Sequence, residues 1–236
     1  MSQPPARPGT VLGLEDMLAS GAIPGCSGVA VRGARTLSGV LGVSQPGAVS
    51  VAAQADALRG LASAAAEASI ELACEACELG LSDERLDLEG RDWHECLWLL
   101  LDQVGQHELE RRTGLTYMGI GAFRVVLRLC PGLVLKLVVC PDFASMNVQE
   151  MEVWTGATEE ERGLLVPAVE LGMDGQWLIM QEATASMDKL TDLTIRRPRA
   201  MELRRLAPDL ADSTDLEWYN WGWHGGLLKL LDYGNG

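Results

Sequence analysis

The spacing of apolar residues divides the chain into a helical first half and a strand-rich second half. Residues 51–80 are rich in alanine and contain few helix breakers, which predicts one long helix ending near Gly80. A second helix is expected from Asp92 to Arg112, because its leucines form one apolar face and Asp92 can cap its first turn. The two helices are expected to form a hairpin.

From residue 117 onward the apolar period becomes that of β-strands. A hairpin is predicted by FRVVLRL and LVLKLVV, which are joined by Cys-Pro-Gly, and a helix is predicted by NVQEMEVWTGA. A strand, a turn and a strand are predicted by LLVPAVEL, GMDG and QWLIMQEA. A helix in AMELRRLAPDL should end at Pro208, and LLKLLDYG should form a last strand. The expected fold class is α+β, with the N-terminal helices covering the sheet or the lobe that follows it.

Residues 1–50 differ from the rest in composition, because glycine, proline, serine, alanine and valine dominate them. This composition predicts an extended arm in which SGVAVRG could form one short strand. Such an arm is usually ordered only when something holds it, so a protein partner or an assembly is expected to bind it. The predicted organisation is an arm at 1–50, a helical region at 51–113 and a third domain at 114–236.

The net charge of −14 over 236 residues excludes generic binding of DNA or RNA, whose backbone a surface this acidic repels. No segment reaches the roughly 18 apolar residues of a membrane span, and the N-terminus does not have the pattern of a signal peptide. The sequence therefore predicts no membrane partner and a cytoplasmic protein. In that compartment the six cysteines are expected to be reduced.

Two polar clusters each allow two interpretations. The basic run RRPRAMELRR at 196–205 is either a solvated helix face, which is the more common case, or a local anion-binding patch. A zinc site could be formed by Cys74, Cys77, His94 and Cys96. Buried free cysteines are the favoured interpretation of the second cluster, because its CEAC segment is expected to be helical.

Candidate chemistry begins in the segment YMGIGAFRVVL, where Gly119 and Gly121 would let the backbone approach a ligand closely. By itself this glycine pattern is also typical of an ordinary hairpin. Lys136 lies in mid-strand among apolar residues, where it either points to solvent at a strand edge or is buried beside an acidic partner. The helix that follows offers Glu150 and Glu152 as partners.

The C-terminal segment contains a second group of polar residues with defined spacing. Asp215 precedes Asn220 by five positions, and Asp232-Tyr-Gly234 follows after a predicted strand. Carboxylate and amide oxygens are the ligands that Mg²⁺ prefers. Each acid taken singly is more often a loop or cap residue, so the order of the motifs along the chain is what carries the interpretation.

That order resembles the protein-kinase-like fold: a glycine-rich turn, a lysine on a strand, a glutamate on a helix, Asp-x-x-x-x-Asn and Asp-x-Gly. The segment DLEWYNWGW and the spacing Asn147-x-x-Glu150 also resemble short phage-encoded kinase-like proteins. The resemblance covers about half of the chain. It implies a kinase-like N-lobe of antiparallel sheet plus αC-type helix, a truncated C-lobe, and a helical region before both.

The resemblance assigns roles to residues of the glycine-rich hairpin and the helix after it. Lys136 would hold nucleotide phosphates while Glu150 orients it, and Gly119 and Gly121 would shape the loop over the phosphates. Arg124 stands where the family has its third glycine. An arginine at this position would either crowd the phosphates or place a positive charge beside them.

The C-terminal motifs are assigned roles in the same way. Asp215 would be the catalytic base, and Asn220 and Asp232 would be the magnesium ligands. The cofactors implied are ATP and Mg²⁺, and the reaction is transfer of the γ-phosphoryl group to a hydroxyl acceptor. No activation segment or Ala-Pro-Glu motif follows Asp232. The alternative is therefore a pseudokinase or virion-associated scaffold, located in the host cytosol or the virion.

Overall fold

The computed structural model describes residues 13–21, 23, 50–78, 105–121, 123–139, 141–185 and 192–234. Within these ranges the α-helices are α1 (Leu14–Ser20), α2 (Val51–Glu78), α3 (Gln106–Thr113), α4 (Ala144–Gly156), α5 (Glu159–Arg162), α6 (Arg197–Leu206) and α7 (Pro208–Ser213). The strands are β1 (Thr116–Ile120), β2 (Arg124–Cys130), β3 (Leu133–Val138), β4 (Ala168–Gly172), β5 (Trp177–Gln181), β6 (Thr184–Ala185), β7 (Trp221–His224) and β8 (Leu227–Leu230). Short 3₁₀ turns precede α4, β5 and β7, and a π-helical turn precedes α6.

The central feature is a five-stranded sheet in the order β1-β2-β3-β5-β4, in which all neighbours are antiparallel. The mixed helix-and-sheet class and the antiparallel sheet expected from the sequence are confirmed. Lys136 lies on β3 between Val126 of β2 and Leu178 of β5, so it is on a central strand. The interpretation of Lys136 as a solvent-facing lysine at a strand edge is therefore wrong.

Helix α2 covers one face of the sheet, which is one of the two positions expected for the N-terminal helices. Buried side chains of the helix and of the strands form one core on this face. The helix provides Ala55, Leu58, Ala62 and Ala66, and the strands provide Leu127, Leu135 and Ile179. A charged contact at the rim joins the same elements, because Arg59 Nε lies 2.5 Å from a carboxylate oxygen of Glu170. Helix α3 is tied to α2 by Arg112, whose guanidinium lies 2.6 Å from Glu75. The sheet thus has its apolar cover from α2.

A second core lies between the opposite side of the sheet, α6 and a three-stranded sheet in the order β6-β7-β8. Trp221 of β7 and Leu230 of β8 are fully buried in it. The backbone N–H of Leu230 donates to the carbonyl of Leu164 at 2.8 Å, which fixes β8 beside the segment that leads into β4. Strand β7 has the sequence WGWH, in which no alternation predicts a strand, and pairing with β8 stabilises it.

Helix α6 ends at Leu206, and Pro208 opens α7 instead of following the helix as a simple terminator. Proline is accommodated at the first position of a helix because its missing N–H has no acceptor there. The helix pair positions the loop that carries Asp215.

Several sequence predictions lie outside the described residues: most of the arm at 1–50, most of the second helix, and the zinc site proposed for Cys74, Cys77, His94 and Cys96. No helix in the described part of the chain is long and apolar enough to cross a membrane. Cys130 at the end of β2 is disulfide-bonded. The expectation that all six cysteines are reduced is wrong at this position.

Candidate functional site

A buried ion pair between β3 and α4 forms the centre of the candidate site. Lys136 Nζ donates to both carboxylate oxygens of Glu150, at 2.7 and 2.9 Å, and to the carbonyl of Leu231 at 2.8 Å. The two side chains are 8% and 0% exposed. A buried ammonium group is stable only with such partners, so Glu150 is the acidic partner expected for this lysine. Glu152, the other candidate, is exposed.

Asn147 fixes the helix that carries Glu150. It lies three residues earlier on the same helix face and is fully buried. Its Nδ2 donates to the carbonyl of Gly175 at 2.8 Å, in the turn before β5. Gly175 has a φ of +94°, and an added Cβ there would lie 2.4 Å from the carbonyl oxygen of Ala144. Helix α4 is therefore held close to that turn, which sets the height of Glu150 above the sheet.

Asp232 reaches the same ion pair from the C-terminal segment. Its carboxylate lies 3.6 Å from Lys136 Nζ and accepts a hydrogen bond from Arg124 Nη2. Burial by itself raises the pKa of Asp232, but the charges of Lys136 and Arg124 outweigh it and hold that pKa below the usual range. The carboxylate is therefore ionised at neutral pH.

The residues after Asp232 anchor it against α4. The backbone N–H of Tyr233 donates to Glu150 at 3.4 Å, and its buried hydroxyl donates to the carbonyl of Val166 at 2.6 Å. Gly234 has no room for a side chain, since an added Cβ would lie 2.4 Å from the carbonyl oxygen of Met146. The Asp-Tyr-Gly motif is thus fixed by close backbone packing on the helix that carries Glu150.

Arg124 enters the site from the first position of β2. One of its terminal nitrogens donates to Glu150 at 2.6 Å and to Asn147 Oδ1 at 3.1 Å, while the other donates to Asp232. Burial lowers the pKa of Arg124, but the carboxylates of Glu150 and Asp232 raise it above its ordinary value. Arg124, Lys136, Glu150 and Asp232 form a group of two cations and two anions, called the charge cluster below.

A small cavity lies above the charge cluster. Its volume is about 50 Å³, and its lining residues are Gly121, Phe123, Arg124, Val126, Lys136, Met146 and Asp232. That volume holds only a few water molecules, since one needs roughly 10–15 Å³ of such space. A triphosphate needs more room, and the Arg124 side chain forms part of the wall. Arg124 therefore borders the cavity beside Lys136 and Asp232.

Among the described residues, Gly119 of β1 and Gly121 after it have no steric neighbours that demand glycine. An added Cβ at Gly119 would meet nothing within 4 Å, and one at Gly121 would lie 3.8 Å from the carbonyl oxygen of Arg124, an ordinary contact. Strand β1 shifts register between Tyr117 and Gly119, so the pairing with β2 is irregular there. The fold itself therefore does not explain these two glycines.

Alanine substitutions separate the glycines that the fold needs from those that a ligand would need. Gly234→Ala should lower the free energy of unfolding by about 1–3 kcal/mol, because the new methyl group overlaps the α4 backbone. Gly119→Ala should leave it unchanged within about 0.5 kcal/mol. Urea unfolding of both variants measures the difference. Equal losses in the two variants would contradict this account of the turn.

Asp215 and Asn220 lie in the loop before β7, apart from the charge cluster. Asp215 is exposed; its carboxylate accepts from the Tyr219 hydroxyl at 2.5 Å and from the backbone N–H of Glu217 at 3.0 Å. The bond to Asp215 is the main reason that the pKa of Tyr219 is raised. No contact among the described residues joins Asp215 to Lys136, and Asp215 lines a different cavity.

A chain of hydrogen bonds through Asn220 and Leu231 links this loop to the charge cluster. Asn220 Nδ2 donates to the carbonyl of Asp215 at 2.9 Å, and the Asn220 carbonyl accepts from the N–H of Leu231 at 2.7 Å. The carbonyl of Leu231 in turn accepts from Lys136. The structure thus brings Lys136, Glu150 and Asp232 into contact and places Asp215 and Asn220 one segment away.

The donor set fits magnesium, although no group of three or more His, Cys, Asp and Glu side chains is present in the part of the chain that the structure describes. Asp232 offers a carboxylate, and Asn220 offers an amide oxygen because its amide nitrogen is already bonded to Asp215. Magnesium is commonly held by one or two such groups plus substrate phosphates. The chemistry of the donors fits magnesium, and in the described structure the Asp232 carboxylate is bonded to Arg124.

Sequence reasoning missed the pairing of Arg124 with both acids, since nothing in FRVVL indicates where a strand-initial arginine points. It also missed Thr214, a buried threonine beside Asp215. Comparison of the chain with family models, with curated proteins and with solved structures finds no match. The functional argument therefore depends on the geometry of the site.

Proposed function

We propose that the protein binds ATP and Mg²⁺ in a kinase-like manner and transfers the γ-phosphoryl group to a hydroxyl acceptor. The observation that carries this proposal is the buried Lys136–Glu150 pair with Asp232 at 3.6 Å, below the glycine-containing β1–β2 turn. A lysine held by a helix glutamate beside a second carboxylate is suited to hold phosphate and metal together. The antiparallel sheet together with α4, whose Glu150 bonds the lysine of β3, also supports the proposed kinase-like lobe.

Each residue of the charge cluster has a distinct role in this proposal. Lys136 binds phosphate oxygens, Glu150 orients Lys136, and Asp232 together with the Asn220 amide oxygen holds the metal. Mg²⁺, when bound, neutralises phosphate charge. Arg124 exchanges its bond to Asp232 for a bond to phosphate, which a guanidinium group binds well because its donors form a planar fork.

The proposed transfer step needs only groups already named. The acceptor oxygen forms a bond to the γ-phosphorus while the bond from that phosphorus to the β–γ bridging oxygen breaks. The bridging oxygen keeps the electron pair and leaves as part of ADP. The proton of the acceptor hydroxyl passes to the carboxylate of Asp215, which is exposed and therefore accessible to an acceptor.

A second candidate function is a non-catalytic, kinase-like scaffold. The observation that favours it is the Arg124–Asp232 pair, which already neutralises the carboxylate proposed to hold the metal. The cavity of about 50 Å³ above that pair also favours it. In a scaffold the charge cluster would serve to fix β2, α4 and the C-terminal segment in one arrangement.

Thermal unfolding with nucleotide separates the two functions. ATP with Mg²⁺ at 100 times its dissociation constant should stabilise the protein by about 2.7 kcal/mol, since a ligand bound only to the folded state shifts the equilibrium by mass action. ATP without Mg²⁺ should stabilise it less, because phosphate charge near Asp232 is then not neutralised. The melting temperature, measured against ATP concentration with and without magnesium, gives both values.

Two lysine variants provide the control. Lys136→Met should lose the stabilisation by ATP and Mg²⁺, judged against its own melting temperature without nucleotide. Lys229→Met should keep it, because Lys229 lies on β8 and bonds the carbonyl of Arg162 at 3.4 Å, outside the charge cluster. If the wild-type protein shows no shift, the scaffold is the better account; if both variants keep the shift, nucleotide binds elsewhere.

A further inference from the structure

A larger cavity lies between α6 and the loop that carries Asp215. Its volume is about 460 Å³, and its lining residues are Arg196, Arg197, Ala200, Met201, Arg204, Thr214, Asp215, Leu216 and Glu217. That volume lies within the range of roughly 300–1,000 Å³ typical of small-molecule sites. It shares no lining residue with the small cavity above the charge cluster. We call it the arginine cavity.

One wall of the arginine cavity is a face of α6. Arg197, Ala200, Met201 and Arg204 are spaced three and four residues apart, so they follow one another along a single helix face. The two arginines stand at the ends of this face with the two apolar side chains between them. This arrangement presents two guanidinium groups above a short apolar floor.

The arginines of this wall are not used in ion pairs. Among the described residues no carboxylate lies within ion-pair distance of Arg197 or Arg204, whereas Arg199 on the same helix pairs with Glu202 at 3.0 Å. The two guanidinium groups at this cavity are thus available to an anion, although the chain has a net charge of −14. A solvated helix face explains their exposure but not their shared position at the cavity.

The opposite wall carries carboxylates. Asp215 and Glu217 line it, and neither forms an ion pair with an arginine of the α6 wall within the described ranges. The loop is held in place at Leu216, whose carbonyl accepts from Arg196 and, at 3.2 Å, from the indole N–H of Trp221. Cations and anions therefore face each other across a space without meeting, which leaves room for a ligand between them.

Thr214 is an unsatisfied polar residue beside the arginine cavity. Its side chain lines the arginine cavity and the residue is only 8% exposed, yet its buried hydroxyl has no hydrogen-bond partner in the described part of the structure. Buried hydroxyl groups almost always have a partner, because an unsatisfied one costs about 1–3 kcal/mol. The hydroxyl oxygen is itself shielded from solvent and does not contact the open space of the cavity, so the case for a ligand depends on the arginines.

We infer that the arginine cavity binds a small hydroxyl compound bearing a phosphate group. Arg197 and Arg204 hold the phosphate, and the hydroxyl of the compound lies at the carboxylate of Asp215. The role of this compound as the acceptor of the γ-phosphoryl group rests on the proposed function, while its binding does not. The transfer is the one described above: the acceptor oxygen bonds the γ-phosphorus, ADP leaves, and the proton passes to Asp215.

Equilibrium binding of two probes, without nucleotide or metal, tests this inference. The probes are inorganic phosphate and glycerol 3-phosphate, each titrated by calorimetry at ionic strength matched with sodium chloride. The wild-type protein should bind both saturably, with glycerol 3-phosphate the tighter. The double variant Arg197→Gln and Arg204→Gln should bind each at least 10-fold more weakly, because it removes both phosphate contacts. Both arginines are exposed, so the double variant should fold as the wild-type protein does.

Arg205→Gln is the matched control, because Arg205 is an exposed arginine of the same helix that does not line the cavity. It should bind both probes as the wild-type protein does. Absence of saturable binding in the wild-type protein overturns the inference, and so does equal weakening in Arg205→Gln and the double variant. If the probes bind as expected but ATP with Mg²⁺ gives no thermal shift, the proposed function fails while the phosphate site stands.

Discussion

Glu150→Ala is expected to lower the free energy of unfolding by about 3–5 kcal/mol, the usual range when one partner of a buried ion pair is removed. Glu150 is completely buried, and it accepts from both Lys136 and Arg124. Its removal leaves two buried cations with Asp232 as their remaining carboxylate within the charge cluster. Urea unfolding followed by circular dichroism measures the change.

Glu152→Ala is the control for this result. Glu152 lies two residues later on α4 but is exposed, so its substitution should change the free energy of unfolding by no more than about 0.5 kcal/mol. A small effect in both variants would mean that the charge cluster does not stabilise the fold. It would then be difficult to explain why two cations are buried between β3 and α4.

Asp215→Asn is expected to lower the rate of magnesium-dependent conversion of ATP to ADP by about 10²–10⁴-fold, the usual contribution of a general base. An amide cannot accept the proton of the acceptor hydroxyl at neutral pH. The thermal stabilisation by ATP and Mg²⁺ should be unchanged, because Asp215 makes no contact with the charge cluster in the described structure. ADP formation with glycerol 3-phosphate as acceptor measures the rate.

Asp212→Asn provides the matched comparison, since Asp212 is an exposed aspartate three residues earlier at the end of α7. It should react at the wild-type rate. If Asp215→Asn and wild-type protein form ADP equally fast, Asp215 is not the base. A loss of nucleotide stabilisation in Asp215→Asn would instead show that the loop contributes to nucleotide binding.

Most of the sheet could be predicted from the sequence because its strands bury one or both faces. The β2–β3 hairpin and β5 appear as dense apolar runs, and α2 appears as an alanine-rich segment. Strand β7 could not be predicted, since its WGWH sequence takes its strand conformation from pairing with β6 and β8. The apolar pattern of a segment predicts its secondary structure where buried residues recur at a regular spacing. It does not predict a strand whose conformation depends only on pairing with other strands.

The ion pair in the candidate site could be predicted from the sequence, but the positions of the surrounding arginines could not. The Lys136–Glu150 pair follows from a lysine in an apolar strand and a helix glutamate after it, because burial demands such a partner. The placement of Arg124 depends on its rotamer and on three other segments, so local sequence carries no signal for it. The position of Arg197 and Arg204 at one cavity likewise depends on how α6 packs against the loop of Asp215.

Arg124 links the structure to the two proposed functions. In the described conformation it binds Glu150 and Asp232 and leaves a cavity of about 50 Å³. Catalysis requires that phosphate replace Asp232 as a partner of this guanidinium group, whereas a scaffold requires that the pair persist. The conformation of Arg124 in the presence of nucleotide therefore distinguishes an enzyme from a scaffold.

The most direct test of the central claim is a crystal structure of the protein with Mg²⁺ and a non-hydrolysable ATP analogue. We predict a phosphate oxygen within about 3 Å of Lys136 Nζ, the usual hydrogen-bond distance. We also predict Arg124 on phosphate and the metal on Asp232. An analogue bound elsewhere, with the Arg124–Asp232 pair intact and no phosphate at Lys136, would contradict the account.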